Sequence, residues 1–371
     1  MPFLFAEISQ LNTKVKEAIL PPELKSRAER MVERLNRMAK FGGYSAEYET
    51  ISRYVDWIVS LPWDKSSQEI LDLKKTQAVL DKNHYGMQKV KDRILEYLAV
   101  RKLTVARIGE SQPINQRKSG FVHGPQAESR AAVLCFVGLP GIGKTSVSYS
   151  IAEALGREFV RIAMGGMGSV EQLRGQARVF SDAEPGLIVK NLRRAGVNNP
   201  VLLLDEIDRV TEAGWSGIMG VLLELLDPEQ NAAFTDHYLD YPFNLSEVLF
   251  LCSANNTRNI SNAVLDRLEI IEMPSYTDEE KLHIGRDYLL PRTLEDCGLK
   301  PKQLAIEEEL WPKIIRPLGY DAGIRTLDRT LHGICRKAAR KIVEVRLPAR
   351  QGEGKKFVLT SENIKEFLPS W

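Results

Sequence analysis

Residues 138–145 read Gly138-Leu-Pro140-Gly141-Ile142-Gly143-Lys144-Thr145 and satisfy the phosphate-loop pattern G-x-x-x-x-G-K-[ST] at every position. Such a loop works mainly through its backbone. Glycines let successive N–H groups close around phosphate oxygens, and a helix opening near Ser146 adds partial positive charge. Lys144 is expected to reach the β- and γ-phosphates and Thr145 to hold Mg2+, which makes ATP with Mg2+ the implied ligand. A second constellation is Val201-Leu-Leu-Leu-Asp205-Glu206. The apolar run predicts a buried strand whose C-terminal end presents two carboxylates, where ligands bind in parallel sheets. Asp205 is expected in the Mg2+ shell, and Glu206 is expected to orient or deprotonate the attacking water. Asn255 closes Cys252-Ser-Ala-Asn255 at the end of another predicted strand, within reach of the γ-phosphate or the water. A single arginine is most often a solvated surface residue, so Arg267 and Arg325 gain weight only from the longer motifs around them; an arginine placed on the transition-state charge contributes about 10³–10⁵ in rate.

These residues need a sheet to carry them. Strands are predicted at Val133–Val137, Phe159–Ile162, Val201–Leu204, Val248–Cys252 and Glu269–Met273, separated by helical patterns. That alternation implies an α/β domain with a parallel sheet covered on both faces. Ahead of it, Leu24, Ala28, Met31, Leu35 and Met38 recur at helical spacing. Docking on a neighbouring subunit and packing on its own domain fit this stripe equally. Gly42-Gly43 interrupts it, and a second apolar run from Tyr48 to Leu61 ends at Pro62-Trp63. Helix is expected again over 69–103, with a turn at Asn83-His84-Tyr85-Gly86, followed by a polar surface loop over about 107–130. After Pro274 the pattern is mostly helical, with one late strand at Lys356–Leu359. The expected division is a helical arm over 1–68, a nucleotide-binding domain over 69–275 and a small α-helical lid over 276–371.

Composition narrows the class. Hydrophobic residues make up 43% and charged residues 27%, as in a soluble globular protein. The net charge of +2 gives no global case for nucleic acid. The basic pairs Arg101-Lys102, Arg336-Lys337 and Arg340-Lys341 have acids nearby and read as solvated helix faces, so DNA binding is not supported. Cys135, Cys252, Cys297 and Cys335 form no CxxC and fit reduced thiols. No apolar run approaches a membrane span, and the first residues lack the basic start of a signal peptide. The expected location is the cytoplasm, with an organelle matrix as the alternative.

Longer stretches are more specific than the phosphate loop. They include Tyr54-Val-Asp-Trp-Ile-Val-Ser-Leu-Pro-Trp63, Asn199-Pro-Val-Leu-Leu-Leu-Asp-Glu-Ile-Asp208, Leu222-Leu-Glu-Leu-Leu-Asp-Pro-Glu-Gln-Asn231, Phe234-Thr-Asp-His-Tyr-Leu239 and Leu265-Asp-Arg-Leu-Glu-Ile270. Through these the chain resembles the ATPase portion of the Lon proteases, members of the AAA+ superfamily. The resemblance implies an α/β P-loop NTPase with a five-stranded parallel sheet in the order 5-1-4-3-2. It implies a homo-hexameric ring that uses ATP to unfold and translocate protein substrates. By resemblance Asn255 is the first sensor, Arg325 the second sensor, Arg267 the arginine finger toward the next subunit, and His84 and Tyr85 lie on the adenine side.

The chain also departs from the family. No Ser–Lys peptidase setting is found up to Trp371, so this chain alone is not expected to cut peptides, and a separate Lon-like peptidase is a further candidate partner. Ahead of the ATPase core the helical arm is read, and a β-rich substrate domain is not expected within this sequence. The pore loop reads Arg174-Gly-Gln-Ala-Arg-Val-Phe180-Ser181-Asp182-Ala-Glu184-Pro-Gly186. Phe180 is the expected substrate contact of the pore, and Asp182 and Glu184 would favour basic segments. Trp215, in Trp215-Ser-Gly-Ile-Met-Gly220, replaces a family motif and reads more as packing than as a pore aromatic. The alternative to a motor is a stand-alone nucleotide-dependent assembly or chaperone module without threading.

Overall fold

The computed structural model describes residues 2–40, 46–111, 132–180, 182–317, 319, 321–344 and 357–368. The N-terminal helices α1 (Pro2–Glu17), α2 (Pro22–Lys40) and α3 (Ala46–Ser60) pack against one another. On α2 the buried stripe is Leu24, Ala28, Val32, Leu35 and Ala39. Of the two partners left open by the stripe, the arm takes its own domain. Ile8, Leu24 and Ile58 share one core with Leu204 and Phe243. Trp63 seats the junction, with its ring centroid 5.8 Å from Tyr241 and 4.9 Å from Phe243. The Gly42-Gly43 break lies outside the described residues.

An extended strap follows. Ser67 N–H donates to Asn199 Oδ1 at 2.8 Å and Ile70 N–H to Leu155 O at 2.9 Å. Helix α4 (Leu73–Asn83) starts at Asp72, whose carboxylate accepts from the N–H groups of Lys74 and Lys75. Helix α5 (Gln88–Ser111) runs past 107, where a loop was expected to begin, because its helical pattern persists to Ser111; 112–130 lie outside the described residues.

The α/β core comprises β1 (Val133–Val137), α6 (Lys144–Leu155), β2 (Phe159–Ala163), α7 (Glu171–Arg174), α8 (Leu187–Ala195), β3 (Val201–Asp205), α9 (Trp215–Leu226), α10 (Pro228–Asn231), β4 (Phe234–Asp236), β5 (Tyr241–Phe243), β6 (Leu249–Ala254), α11 (Asn262–Leu265) and β7 (Leu268–Glu272). Five strands form one parallel sheet in the order β2-β3-β6-β1-β7. Numbered among themselves, they run 5-1-4-3-2, as expected. The first predicted strand coincides with β1, and the other four differ by one or two residues at their ends; the fourth begins at Leu249, not Val248, and runs on to Ala254. Strand β3 is buried along its whole length because each face of the sheet has its own core. Leu202 and Leu204 enter the core shared with the arm, while Val201 and Leu203 enter the core beneath α4 and α5. Burial of each such side chain contributes about 1.5–3 kcal/mol. The antiparallel pair β4–β5 was not foreseen, since three residues per strand show too little alternation to read.

The lid begins at Thr277, whose hydroxyl and backbone form a reciprocal cap with Glu280. One helix then runs through α12 (Asp278–His283), a π-helical stretch (Ile284–Leu289) and α13 (Leu290–Asp296). The rest is β8 (Leu304–Ile306), α14 (Trp311–Ile315), α15 (Arg325–Glu344), β9 (Phe357–Leu359) and α16 (Ile364–Phe367). Trp311, Leu331, Ile334 and Phe367 centre a separate lid core. The late strand pairs in parallel with β8, a partner that sequence reading missed; Lys356 lies outside the described residues.

Candidate nucleotide site

Strand β1 feeds the phosphate loop, and α6 begins directly behind it. Gly143 turns the chain with φ +100°, a conformation a side chain would oppose, and no side chain caps α6. The first N–H groups of α6 therefore face a cleft of about 330 Å³, lined by Pro140, Gly141, Lys144, Thr145 and Ser146 on one side. Asp205, Glu206 and Asn255 reach it from the ends of β3 and β6, and Arg325 from the start of α15. Uncapped N–H groups with positive dipole ends form an anion site.

The polar side chains hold one another. Lys144 Nζ donates to Gly138 O at 2.5 Å, Leu139 O at 3.1 Å and Asn255 Oδ1 at 3.0 Å. Burial lowers the Lys144 pKa from its ordinary 10.5, and Asp205 and Asp208 oppose that shift. The Asp205 side chain is only 5% exposed; its Oδ2 accepts from Arg161 Nε at 2.6 Å and from Thr145 Oγ1 at 3.4 Å. Its other oxygen accepts a short bond from the Ser253 hydroxyl. Glu206 sits at φ +59°, and its N–H donates to Ser253 Oγ at 3.0 Å. That left-handed conformation costs about 1–3 kcal/mol in a non-glycine residue and is held by the strand end. Asp208 accepts from the Asn255 N–H at 3.1 Å and so sets the turn after β6. Asn255 Nδ2 is buried with no partner among the described residues. An unpaired buried donor costs about 1–3 kcal/mol, so this one points to a ligand acceptor.

The lid rests on the phosphate loop. Ile324 N–H donates to Gly141 O at 3.0 Å, and a Cβ on Gly141, at φ +82°, would lie 3.2 Å from Arg325 Cβ. The π-helical stretch and α13 bring Leu289 and Arg292 to the same cleft, and α15 adds Asp328 and His332. Thr145 Oγ1 and Asp205 Oδ2 are hard oxygen donors that suit Mg2+, which usually binds through one or two side chains together with phosphate and water. Among the described residues no cluster of three His, Cys, Asp or Glu offers a dedicated metal cage.

Other expected site residues lie outside this lining. Gly138 and Ile142 support it: Ile142 is buried, and its carbonyl accepts from the Tyr276 hydroxyl at 3.1 Å. The His84 imidazole is engaged with Ser150 Oγ at 2.9 Å. Burial, aided by Lys91, lowers its pKa to about 4 and keeps the ring neutral. Tyr85 stacks on His283 at 5.1 Å. Arg267 is not among the residues lining the cleft; it is half exposed, with its guanidinium 3.0 Å from Asp227 Oδ2. Phe180 is 63% exposed beside Val179 at 86%. Glu184 is paired with Lys190 at 2.5 Å, Asp182 is exposed, and Ser181 lies outside the described residues. Trp215 is half-buried and donates to Asn259 O at 2.7 Å, as a packing residue would. Sequence reading missed Arg161, Ser253, Asp208, Arg292 and His332. A lone cation within Phe159-Val-Arg-Ile162 was the available signal for Arg161.

The sheet order, phosphate loop and lid contact define an AAA+ P-loop ATPase. The "ATPase family associated with various cellular activities (AAA)" matches residues 134–276, and the "Lon protease AAA+ ATPase lid domain" matches residues 295–350. The chain is 43% identical to Lon protease 2 of Thermus thermophilus, over 98% of its own length and 42% of that relative. It is 43% identical to Lon protease of Lawsonia intracellularis, over 98% of the chain and 40% of the relative. With Lon protease 1 of Bacillus subtilis the values are 41%, 98% and 43%. The chain belongs to the Lon-type AAA+ ATPases and corresponds to their ATPase portion. It spans about two fifths of the length of the curated relatives it matches. No helix among the described residues is long and apolar enough to cross a membrane.

Proposed function

We propose that the cleft binds and hydrolyses ATP and that this turnover drives a Lon-type ring motor. The motor binds, unfolds and translocates protein substrates for ATP-dependent proteolysis. The observation that carries the reading is the convergence of Lys144, Thr145, Asp205, Glu206, Asn255 and Arg325 on one uncapped helix start.

Lys144 exchanges its carbonyl partners for β- and γ-phosphate oxygens, with backbone N–H groups of the loop alongside. Thr145 and Asp205 would hold Mg2+, which would supply neutralisation of the phosphate charge. The Glu206 carboxylate orients the attacking water and accepts its proton as the water oxygen bonds to the γ-phosphorus and ADP departs. The free Asn255 Nδ2–H donates to the γ-phosphate or to that water. Arg325 carries the nucleotide state into the lid. In a homo-hexamer Arg267, outside the lining of its own cleft, serves the neighbour's ATP. His84 and Tyr85 support the adenine side, and Phe180 contacts the unfolded polypeptide. The functional units are the arm (1–68), the nucleotide domain (69–275) and the lid (276–371), acting in the cytoplasm.

Glu206→Gln tests the assignment. ATP binding, read with a fluorescent nucleotide, is expected to stay within about threefold, while turnover falls by about 10²–10⁴. Wild-type turnover in this variant rejects Glu206 as the base.

A further inference from the structure

The exposed Val179-Phe180 tip belongs to a segment gripped by residues outside it. At its base His237 N–H donates to Arg174 O at 2.7 Å and Gln176 N–H to Glu184 O at 3.1 Å. Gly186 N–H donates to Asp236 Oδ2 at 2.7 Å, and no side chain fits at Gly186, since a Cβ there would run into the Leu173 carbonyl. Asp236 is fully buried, and its other oxygen accepts from Tyr238 N–H at 2.8 Å and Leu239 N–H at 3.1 Å. The β4–β5 turn thus fixes where the segment starts and stops.

The same turn also meets the arm. Tyr54 of α3 donates its hydroxyl to Leu239 O at 3.1 Å. The guanidinium of Arg178, two residues before Phe180, lies 3.9 Å above the Tyr54 ring. Asp240, at φ +50°, bridges the two sides, with its Oδ2 2.6 Å from Arg27 of α2 and 3.6 Å from Arg178. The Asp240 carboxylate is 63% exposed, so its ion pairs contribute little alone. Tyr54, by contrast, is buried to 1% exposure, and a cation over a desolvated ring is the stronger link.

We propose that Tyr54, with Asp240 and Arg27 in support, ties the N-terminal arm to the Phe180 loop and positions that loop for its polypeptide. A displacement of the arm then loosens the loop without touching the nucleotide cleft. The inference rests on the reading of Phe180 as the polypeptide contact, but the tie itself can be measured separately.

Hydrogen–deuterium exchange across residues 176–184 is the first readout, in wild type, Tyr54→Leu, Asp240→Asn and Tyr54→Phe. Loss of the ring in Tyr54→Leu is expected to speed loop exchange about threefold to tenfold. Asp240→Asn keeps a residue tolerant of positive φ and is expected to speed it about twofold. Tyr54→Phe retains the ring beneath Arg178 and stays within about twofold of wild type. Strands β1 to β3 are expected to exchange as in wild type throughout. The second readout is ATP turnover against unfolded protein: basal rates unchanged, and half-maximal stimulation in Tyr54→Leu moved to about threefold to tenfold higher polypeptide. Unchanged loop exchange in both Tyr54→Leu and Asp240→Asn overturns the tie. Equal acceleration in the sheet strands overturns it as well, since these residues would then serve stability alone. A wild-type chain that ignores polypeptide refutes the motor reading, while the exchange data still decide the tie.

Discussion

The nucleotide cleft and the Phe180 loop belong to one α/β domain, yet they are held in place by different means. In the cleft the central polar side chains leave a core strand or the first turn of a helix: Asp205 ends β3, Asn255 follows β6, and Lys144 opens α6. Both strands are buried along their length, so these groups cannot shift without disturbing the sheet. The loop has no such backing. Its base hangs from one buried carboxylate and its flank leans on Tyr54, while its tip stands in solvent. The cleft is thereby anchored in the core, whereas the Phe180 tip is carried by a segment held through contacts with neighbouring elements.

The widest separation between the two regions is expected in turnover. Glu206→Gln should remove it, whereas Phe180→Ala should leave the basal rate within about twofold and abolish stimulation by unfolded protein. A comparable basal loss in both variants would mean that the loop supports the cleft and the contrast fails.

Acid should act on the layer under the cleft. His84 has a pKa of about 4 in the fold against an ordinary 6.5, so the unfolded chain binds the proton more readily. Stability is fully present above pH 6.5 and falls progressively as pH drops toward 4, by about 2–3 kcal/mol. The urea midpoint of His84→Gln should therefore decline less than that of wild type between pH 7 and 4.5. Parallel declines would remove His84 as the cause.

The smallest effect is expected at the loop's charge. Asp182→Asn should weaken capture of basic unfolded peptides by at most about twofold to threefold at low salt, seen by fluorescence anisotropy. Glu184→Gln should do less, because Lys190 already neutralises that carboxylate. Equal capture of basic and acidic peptides by wild type would dismiss the charge preference.

Much of the cleft was legible because its residues announce their chemistry by type and spacing. A Gly-rich loop ending in Lys144-Thr145 and an apolar run ending in Asp205-Glu206 admit few other uses. The five sheet strands were legible for a related reason: buried parallel strands are short continuous apolar runs. What escaped was set by tertiary pairing. Nothing local in β2 says that Arg161 reaches across to Asp205, which lies on the next strand. The stripe on α2 shows that one face is buried but not that Phe243 shares its core. Nothing local in Phe234-Thr-Asp-His-Tyr-Leu239 says that Asp236 accepts from the distant Gly186 N–H. The turn-like run after Phe234 hid a strand pair too short for periodicity.

We propose that one cleft hydrolyses ATP while a separately held loop couples that turnover to polypeptide. Steady-state ATP hydrolysis by the wild-type chain and Phe180→Ala, each with and without an unfolded protein, tests it most directly. Turnover is expected in both, rising with unfolded protein in wild type alone. Turnover that ignores the polypeptide in wild type, or stimulation that survives in Phe180→Ala, would contradict it.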